Sequence, residues 1–510
     1  MLLLCTLFFA FCTSTECAKI LGIFHIPGRS HHQAGSTLMK ILAEKGHDVT
    51  IVATIPETNP PKNYKQVLLT GIYDKMQEDF KKENFFETEM PPLIAPIFFG
   101  MKMTSMVEDT FNHTNFQKLM KSGEKFDVVI MEEFNAAPIK YVAHHFKAPL
   151  VVYNAIDANE WVNPYQGNPD SPAYATNFYL PYTSSNMSFY QRTMNSLFYV
   201  YANLVRVFFT IPYQNRMLHN YYPDAPHLND MIYNVSLVLL NADPSVHDPL
   251  PKVPSMINIG GFHLKKPKAL PKDLQELMDN ADEGVIYFSM GSNLKSKDIP
   301  IEKRKLLLRS FSKLKQTVLW KFEDDDLPDK PNNVITRKWF PQNDVLAHKN
   351  VKLFITHGGI FSILEAVYHG VPLLALPVWV EQQINSKKAS NDEYAKYIPF
   401  KKLEEEIFMS YLKELLRDPK YKENAERRSR ILREKPIPAA EAVNYWVEYV
   451  IRHKGAPHLR VAALDLAWYQ YLLLDVAAVV IGLLVAFIYA VNYCSSILFR
   501  KRVHKKQKNS

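Results

Sequence analysis

Short runs of β-branched and aliphatic residues alternate along this chain with longer stretches whose apolar positions recur every three or four residues. Residues 19–26 (KILGIFHI) are almost continuously apolar, the pattern of a strand buried on both faces. Residues 33–45 show helical spacing and close at Gly46, and residues 48–55 (DVTIVATI) form the next strand. Strand, helix and strand in that order open a doubly wound parallel sheet. Residues 126–131 (FDVVIM), 149–155 (PLVVYNA) and 236–242 extend it. A second sheet opens at 285–289 and continues through a helix at 301–314 and a strand at 317–322. It reaches a strand at 351–355, after which Ile360, Ile363, Leu364 and Val367 recur at helical spacing. The pattern predicts an α/β protein with two doubly wound Rossmann-like domains. In such sheets ligands sit at the strands' C-terminal ends.

Between 244 and 284 six prolines appear and the periodicity weakens, which marks the passage between domains. Residues 403–453 read as two helices, with Tyr445, Trp446, Tyr449 and Val450 forming a stripe expected to pack back on the first domain. Residues 1–17 join an apolar run to small polar residues, as in a secretory signal peptide. Residues 476–499 carry no charge and would make a helix of about 36 Å, enough to cross a bilayer. Arg500, Lys501, Arg502, Lys505, Lys506 and Lys508 follow, so the positive-inside rule predicts a cytosolic tail and a lumenal body. The expected division is a signal peptide (1–17), a first domain (18–263), a linker (264–283) and a second domain (284–440). Helices packing back on the first domain and toward the membrane (441–475), a transmembrane helix (476–499) and a tail (500–510) complete it.

A length of 510 residues fits two cores rather than one. The formal net charge of +8 is mostly the tail's, so the body gives no reason to expect nucleic acid. Cys5, Cys12 and Cys17 fall in the signal segment and Cys494 in the span, which leaves the lumenal part without disulfide or thiolate chemistry. Sequons at Asn112, Asn186 and Asn234 are compatible with lumenal exposure and glycosylation.

The densest chemistry lies in residues 339–382, WFPQNDVLAHKNVKLFITHGGIFSILEAVYHGVPLLALPVWVEQ. A strand that turns into a helix through His357, Gly358 and Gly359 leaves the helix's first N–H groups free, an anion site. Around it stand a flat ring (Trp339), two amides (Gln342, Gln382), two carboxylates (Glu365, Glu381) and an imidazole. A nucleotide-sugar needs such a set: a face for its base, partners for its hydroxyls and donors for its diphosphate. The W-x-P-Q…H…THGG…E-A…HG-V-P…P…[DE]-Q spacing resembles that of the UDP-glycosyltransferases, most closely the membrane-bound animal branch in its insect form, and the resemblance extends over the whole chain.

That resemblance implies a GT-B fold with acceptor bound by the first domain and UDP-sugar by the second. It implies His31 as general base, sixteen residues before His47, and Glu132 as its partner carboxylate, with His32 a competitor for the base. On the donor side it implies that Trp339 stacks the uracil, Gln342 and Glu365 hold uracil and ribose, and Glu381 with Gln382 grips the sugar. The helix N-terminus after Gly359, with His357 and Ser292, would stabilise the departing UDP through cationic and N–H groups. Lys321 stands where the family has a basic donor contact, and Ser362 is kept on the donor side. Phe361 stands where many relatives have an Asn, and Glu381 where Asp is common. The implied reaction is metal-independent, inverting transfer of a hexosyl group, UDP-glucose ahead of UDP-glucuronic acid, to a hydroxyl of a small lipophilic acceptor, as in detoxification. The UDP-sugar is a co-substrate and no cofactor is expected.

Two rivals remain: a catalytically weak, membrane-anchored sugar- or lipophile-binding protein, and a metal-dependent transferase using the acidic run Glu323–Asp326. That run also reads as a solvated loop. Residues 165–233, rich in tyrosine, fit an acceptor pocket, a membrane contact or ordinary core. Homo- or hetero-oligomers are compatible with the chain. Lys506 and Lys508 form a K-x-K-x-x ending that resembles the dilysine endoplasmic-reticulum signal, implying a single-pass type I protein of that membrane.

Overall fold

The computed structural model describes residues 17–507, apart from 83–85, 87–89, 183, 185 and 186. Residues 1–16 of the signal segment, Asn186 and Lys508 therefore lie outside the described residues. The first parallel sheet is built of β1 (Lys19–Phe24), β2 (Asp48–Ala53), β3 (Tyr64–Leu68), β4 (Val128–Glu133), β5 (Leu150–Asn154), β6 (Leu237–Leu240) and β7 (Met256–Asn258), in the order 3-2-1-4-5-6-7. The second contains β8 (Val285–Ser289), β9 (Thr317–Lys321), β10 (Val334–Arg337), β11 (Val351–Thr356), β12 (Leu373–Ala375) and β13 (Ala395–Tyr397), in the order 10-9-8-11-12-13. Both orders reverse beside the domain's first strand, between β1 and β4 and between β8 and β11. These are the two switch points where an open parallel sheet leaves a crevice.

The apolar runs are explained by burial on both faces. Along β1, β4 and β5, Leu21, Ile23, Val129, Met131 and Val152 enter one core. Their neighbours Ile20, Phe24, Ile130, Val151 and Tyr153 enter another on the opposite face.

Several expected boundaries shift. The first helix is Arg29–Glu44, so His31 and His32 lie in its first turn and not in a loop. The stretch 264–283, expected as linker, contains helix Lys272–Asp279, whose Leu274 and Met278 are fully buried in the second core. Residues 403–453 form three helices rather than two: Glu405–Arg417, Pro419–Arg433 and Ala439–Arg452. Pro419 opens the second of these, where its missing N–H costs nothing, and the Asp418 carboxylate accepts the Lys420 N–H as a cap. The last helix does pack on the first domain, but through Val443, Val447 and Val450 with Trp446 beside them, while Tyr445 faces outward.

The chain from Val461 onward is a separate unit. Its helix Leu474–Gln507 includes a predominantly apolar span of 26 residues, Leu474–Phe499, long enough to cross a membrane, and continues past it into the basic tail. Asn112 and Asn234 are exposed, as sequons require.

Candidate functional site

Residues at the two switch points face one another, and Asn293 after β8 donates to Ser30 Oγ (3.4 Å) across the cleft. In the first domain Gly28 precedes the 29–44 helix, where a Cβ would lie 2.8 Å from His31 Cδ2, so glycine lets the ring fold back. His31 Nδ1 lies 2.6 Å from Glu132 Oε1 at the end of β4. The Glu132 carboxylate is fully buried, while the imidazole keeps 19% exposure. Burial alone would lower the His31 pKa, but the facing Glu132 charge and hydrogen bond, with Glu381 further off, raise it above 6.5. With Nδ1–H given to Glu132, Nε2 is left to accept a proton. Phe134 meets the ring edge-on at 5.3 Å and leads to Trp161 (5.1 Å) and Phe178 (4.6 Å).

His32 points elsewhere. Its Nε2 lies 3.8 Å from Glu57, which Ser36 and Lys40 also bind, and burial lowers its pKa. Glu133, adjacent on β4, turns to the opposite face and pairs with the fully buried Lys140 at 3.2 Å.

In the second domain Gly291 (φ +84°) and Gly358 (φ +85°) occupy the left-handed region, and the His357 ring fits between Gly291 and Gly359. A Cβ on Gly291 would stand 2.6 Å from His357 Cε1, and one on Gly359 2.5 Å from Nε2. Packed so closely, His357 is pushed down to about 4 by burial and by Lys321. It is a neutral hydrogen-bonding ring and not the basic group expected. Lys321 is also differently engaged: Nζ donates to Glu323 Oε1 (2.6 Å) and to the Gly291 carbonyl (2.9 Å), which holds the Gly291-Ser292 turn. Ser292 is half-buried on that turn, and helix Ile360–Tyr368 begins after its N-cap residue, Gly359.

Trp339 is 61% exposed, with Lys321 Nζ 5.6 Å from its ring centre, so a flat face is available. Gln342 Nε2 donates to Glu365 Oε2 (2.5 Å) and Ser362 Oγ (3.2 Å), joining three expected donor residues in one cluster. Burial raises Glu365 to about 7. It raises Glu381 to about 7 as well, against hydrogen bonds from Asn385 and the Ile360 N–H. Gln382 is buried, and its Oε1 accepts the backbone N–H groups of Val378 (2.9 Å) and Trp379 (3.1 Å), so this oxygen caps a helix. The Phe361 ring lies 4.4 Å from His263 and packs against cores of both domains, so it joins the domains at the position where the resemblance implied an amide.

Three site residues were not singled out beforehand: Asn293, Asn385 and Phe134. Asn385 stands one helical turn from Glu381, a spacing that could have flagged it; Asn293 and Phe134 act across the fold and leave no local signal. In the acidic run Glu323 pairs with Lys321 and Asp325 with Lys338 (2.8 Å), the reading as a charged surface loop.

Two doubly wound domains with an imidazole–carboxylate pair facing a glycine-lined helix N-terminus define a glycosyltransferase of the GT-B class. The chain belongs to the family described as UDP-glucoronosyl and UDP-glucosyl transferase, whose model matches residues 19–509. It is 35% identical over 514 residues to UDP-glycosyltransferase UGT5 of Dactylopius coccus, covering 97% of this chain and 96% of the relative. It is 27% identical to UDP-glucuronosyltransferase 2B7 of Homo sapiens, covering 98% and 97%. Calicheamicin glycosyltransferase CalG4 shares the fold, with a TM-score of 0.57 at 18% identity, covering 86% of this chain and 99% of that one.

Proposed function

We propose that this enzyme transfers a hexosyl group, glucose ahead of glucuronic acid, from its UDP-sugar to a hydroxyl of a small lipophilic acceptor, with inversion and without a divalent metal. The observation that carries the reading is the 2.6 Å contact between His31 and Glu132 at the switch point opposite the 360–368 helix N-terminus. The acceptor O–H gives its proton to His31 Nε2 as its oxygen bonds to the anomeric carbon. The bond from that carbon to the diphosphate oxygen breaks, and UDP leaves with the electron pair. Glu132 stabilises the imidazolium, and the first N–H groups of the 360–368 helix, with Ser292 and neutral His357, meet the charge developing on UDP. Attack opposite the leaving group turns an α-linked donor into a β-glycoside.

Glu381 supports the neutral sugar. It is buried close to His31, and in its ionised form it would repel a uronic carboxylate placed beside it. The aromatic series from Phe134 through Trp161 to Phe178 supports a lipophilic acceptor. The test is UDP release from UDP-glucose and UDP-glucuronic acid with a panel of phenols, with and without chelator. Release from UDP-glucose that survives chelation is expected. Loss on chelation would contradict the metal-free step, and a preference for UDP-glucuronic acid would contradict the sugar assignment.

Trp339→Ala should weaken UDP binding by about 1–3 kcal/mol, the scale of one base–aromatic stack. Glu381→Ala should spare UDP and weaken the UDP-sugar. Calorimetry showing equal losses of both ligands in both variants would contradict this division of labour.

We place the protein in the endoplasmic-reticulum membrane as a type I chain with its catalytic part lumenal. Changing Lys506 and Lys508 to Ser leaves Arg500, Lys501, Arg502 and Lys505 to hold the orientation. The double variant should reach the cell surface still glycosylated; continued retention would contradict a dilysine signal.

A further inference from the structure

Only one oxygen of the Glu132 carboxylate is occupied by His31. Oε1 lies against Nδ1 of that ring, while Oε2 is buried without a hydrogen-bond partner among the described residues. A buried carboxylate oxygen that meets no donor destabilises the fold, so a donor is needed beside it.

The sheet register names the candidate. β4 and β5 run parallel with Glu132 opposite Tyr153. Side chains alternate between the two faces along a strand, so register partners share a face. Here it is the face covered by the 29–44 helix, where Ile130, Val151 and Tyr153 share a core with Ala34 and Leu38. On the other flank β1 and β4 pair Ile23 with Met131, which sets Phe24 beside Glu132. The Phe24 and Tyr153 rings close to 6.1 Å from the two strands that flank β4. Glu132 therefore rises between two aromatic side chains, and only Tyr153 carries a hydroxyl.

That hydroxyl is uncommitted. Tyr153 is fully buried, and its Oη has no hydrogen-bond partner among the described residues. Phe262, 5.8 Å from the same ring, offers it none. Burial and then the Glu132 charge raise the Tyr153 pKa well above the usual tyrosine value, so the group stays an O–H donor wherever His31 titrates.

We propose that Tyr153 is a positioning residue for the base: its hydroxyl donates to Glu132 Oε2, directly or through one water, and keeps Oε1 facing His31 Nδ1. Being fully buried, it acts on the reaction only through Glu132. The same hydrogen bond draws negative charge away from Oε1, which limits how far Glu132 raises the proton affinity of His31. The inference rests on His31 and Glu132 being the base and its partner carboxylate. Glu381 and His25 also act electrostatically with His31 and are left unchanged throughout the test.

The test compares wild type, Tyr153→Phe, Phe262→Leu, Glu132→Gln and His31→Ala as full-length proteins in vesicles. Steady-state kinetics are measured against pH with a phenol and the better of UDP-glucose and UDP-glucuronic acid. Tyr153→Phe keeps the ring, so KM should hold while plateau kcat falls by about three- to tenfold, the worth of one hydrogen bond. Its acid limb in kcat/KM should move to higher pH by roughly one unit, whereas Glu132→Gln moves it lower. Phe262→Leu loosens the same ring and keeps the hydroxyl, so it should lower the melting temperature and leave the limb in place. If Tyr153→Phe does not fold, a ring-fluorinated tyrosine at position 153, a stronger donor of nearly the same shape, should move the limb to lower pH.

A folded Tyr153→Phe with wild-type kcat and acid limb, or a fluorinated protein with an unmoved limb, would overturn the proposal. If His31→Ala is then inactive and Glu132→Gln shifted, the reading of the pair stands without it. Equal limb shifts in Tyr153→Phe and Phe262→Leu would assign the effect to packing and overturn it as well. An active His31→Ala would remove the reading of the pair, and the role of Tyr153 with it.

Discussion

His31→Ala should lower turnover by roughly 10²–10⁴-fold, the usual cost of losing a general base, with UDP affinity almost unchanged. His31 sits with Glu132 at the first domain's switch point, while the expected UDP contacts lie in the second domain. His32→Ala should retain most activity, because its ring faces Glu57. Steady-state kinetics and calorimetry on the two variants check this. An inactive His32→Ala beside an active His31→Ala would reverse the assignment.

The same pair fixes the pH dependence. A general base must be neutral, and Glu132 raises the His31 pKa against burial, so kcat/KM should fall as pH drops through a value above 6.5. Glu132→Gln removes the charge that raises it, so the acid limb should move to lower pH while the rate on the plateau falls. Glu381 also titrates near neutrality, at about 7, and nearby His25 at about 4. Glu381→Gln serves as the control: if it abolishes the acid limb, that limb belongs to Glu381 and not to His31.

The second large effect is expected at Gly358. Its φ of +85° would strain any L side chain, and a Cβ there would stand 2.3 Å from Ser386 Oγ and 3.0 Å from the Gln382 carbonyl. Left-handed backbone alone costs about 1–2 kcal/mol, and relieving the contact must displace the turn that aims the 360–368 helix N-terminus. Gly358→Ala should therefore weaken UDP binding by tenfold or more, about 1.4 kcal/mol at the least. Calorimetry on protein with unchanged near-ultraviolet circular dichroism checks it. Wild-type affinity would mean the diphosphate does not use this turn.

The two sheets were legible because parallel strands buried on both faces are written as uninterrupted apolar runs, and β1, β2, β8 and β11 stand close to where those runs lie. The THGG turn was legible because glycine there answers a backbone demand. The choice between His31 and His32 was not local. It depends on the helix beginning at Arg29, which points consecutive side chains about 100° apart, one toward β4 and one toward Glu57. The neutrality of His357 was equally hidden, since it arises from a turn more than sixty residues earlier closing on the ring. Proline density misled at 264–283, where it marks turns around a helix that belongs to the second core. The tyrosine-rich stretch fitted several readings because its 189–205 helix is apolar on both sides, and only packing separates the side that is core from the side that is not.

The most direct test of the account is product analysis with the full-length protein in vesicles, given UDP-glucose and a simple phenol in the presence of chelator. The account predicts UDP and an aryl β-glucoside in equal amounts, and almost none of either from His31→Ala. An α-glucoside, or equal yields from wild type and His31→Ala, would contradict it.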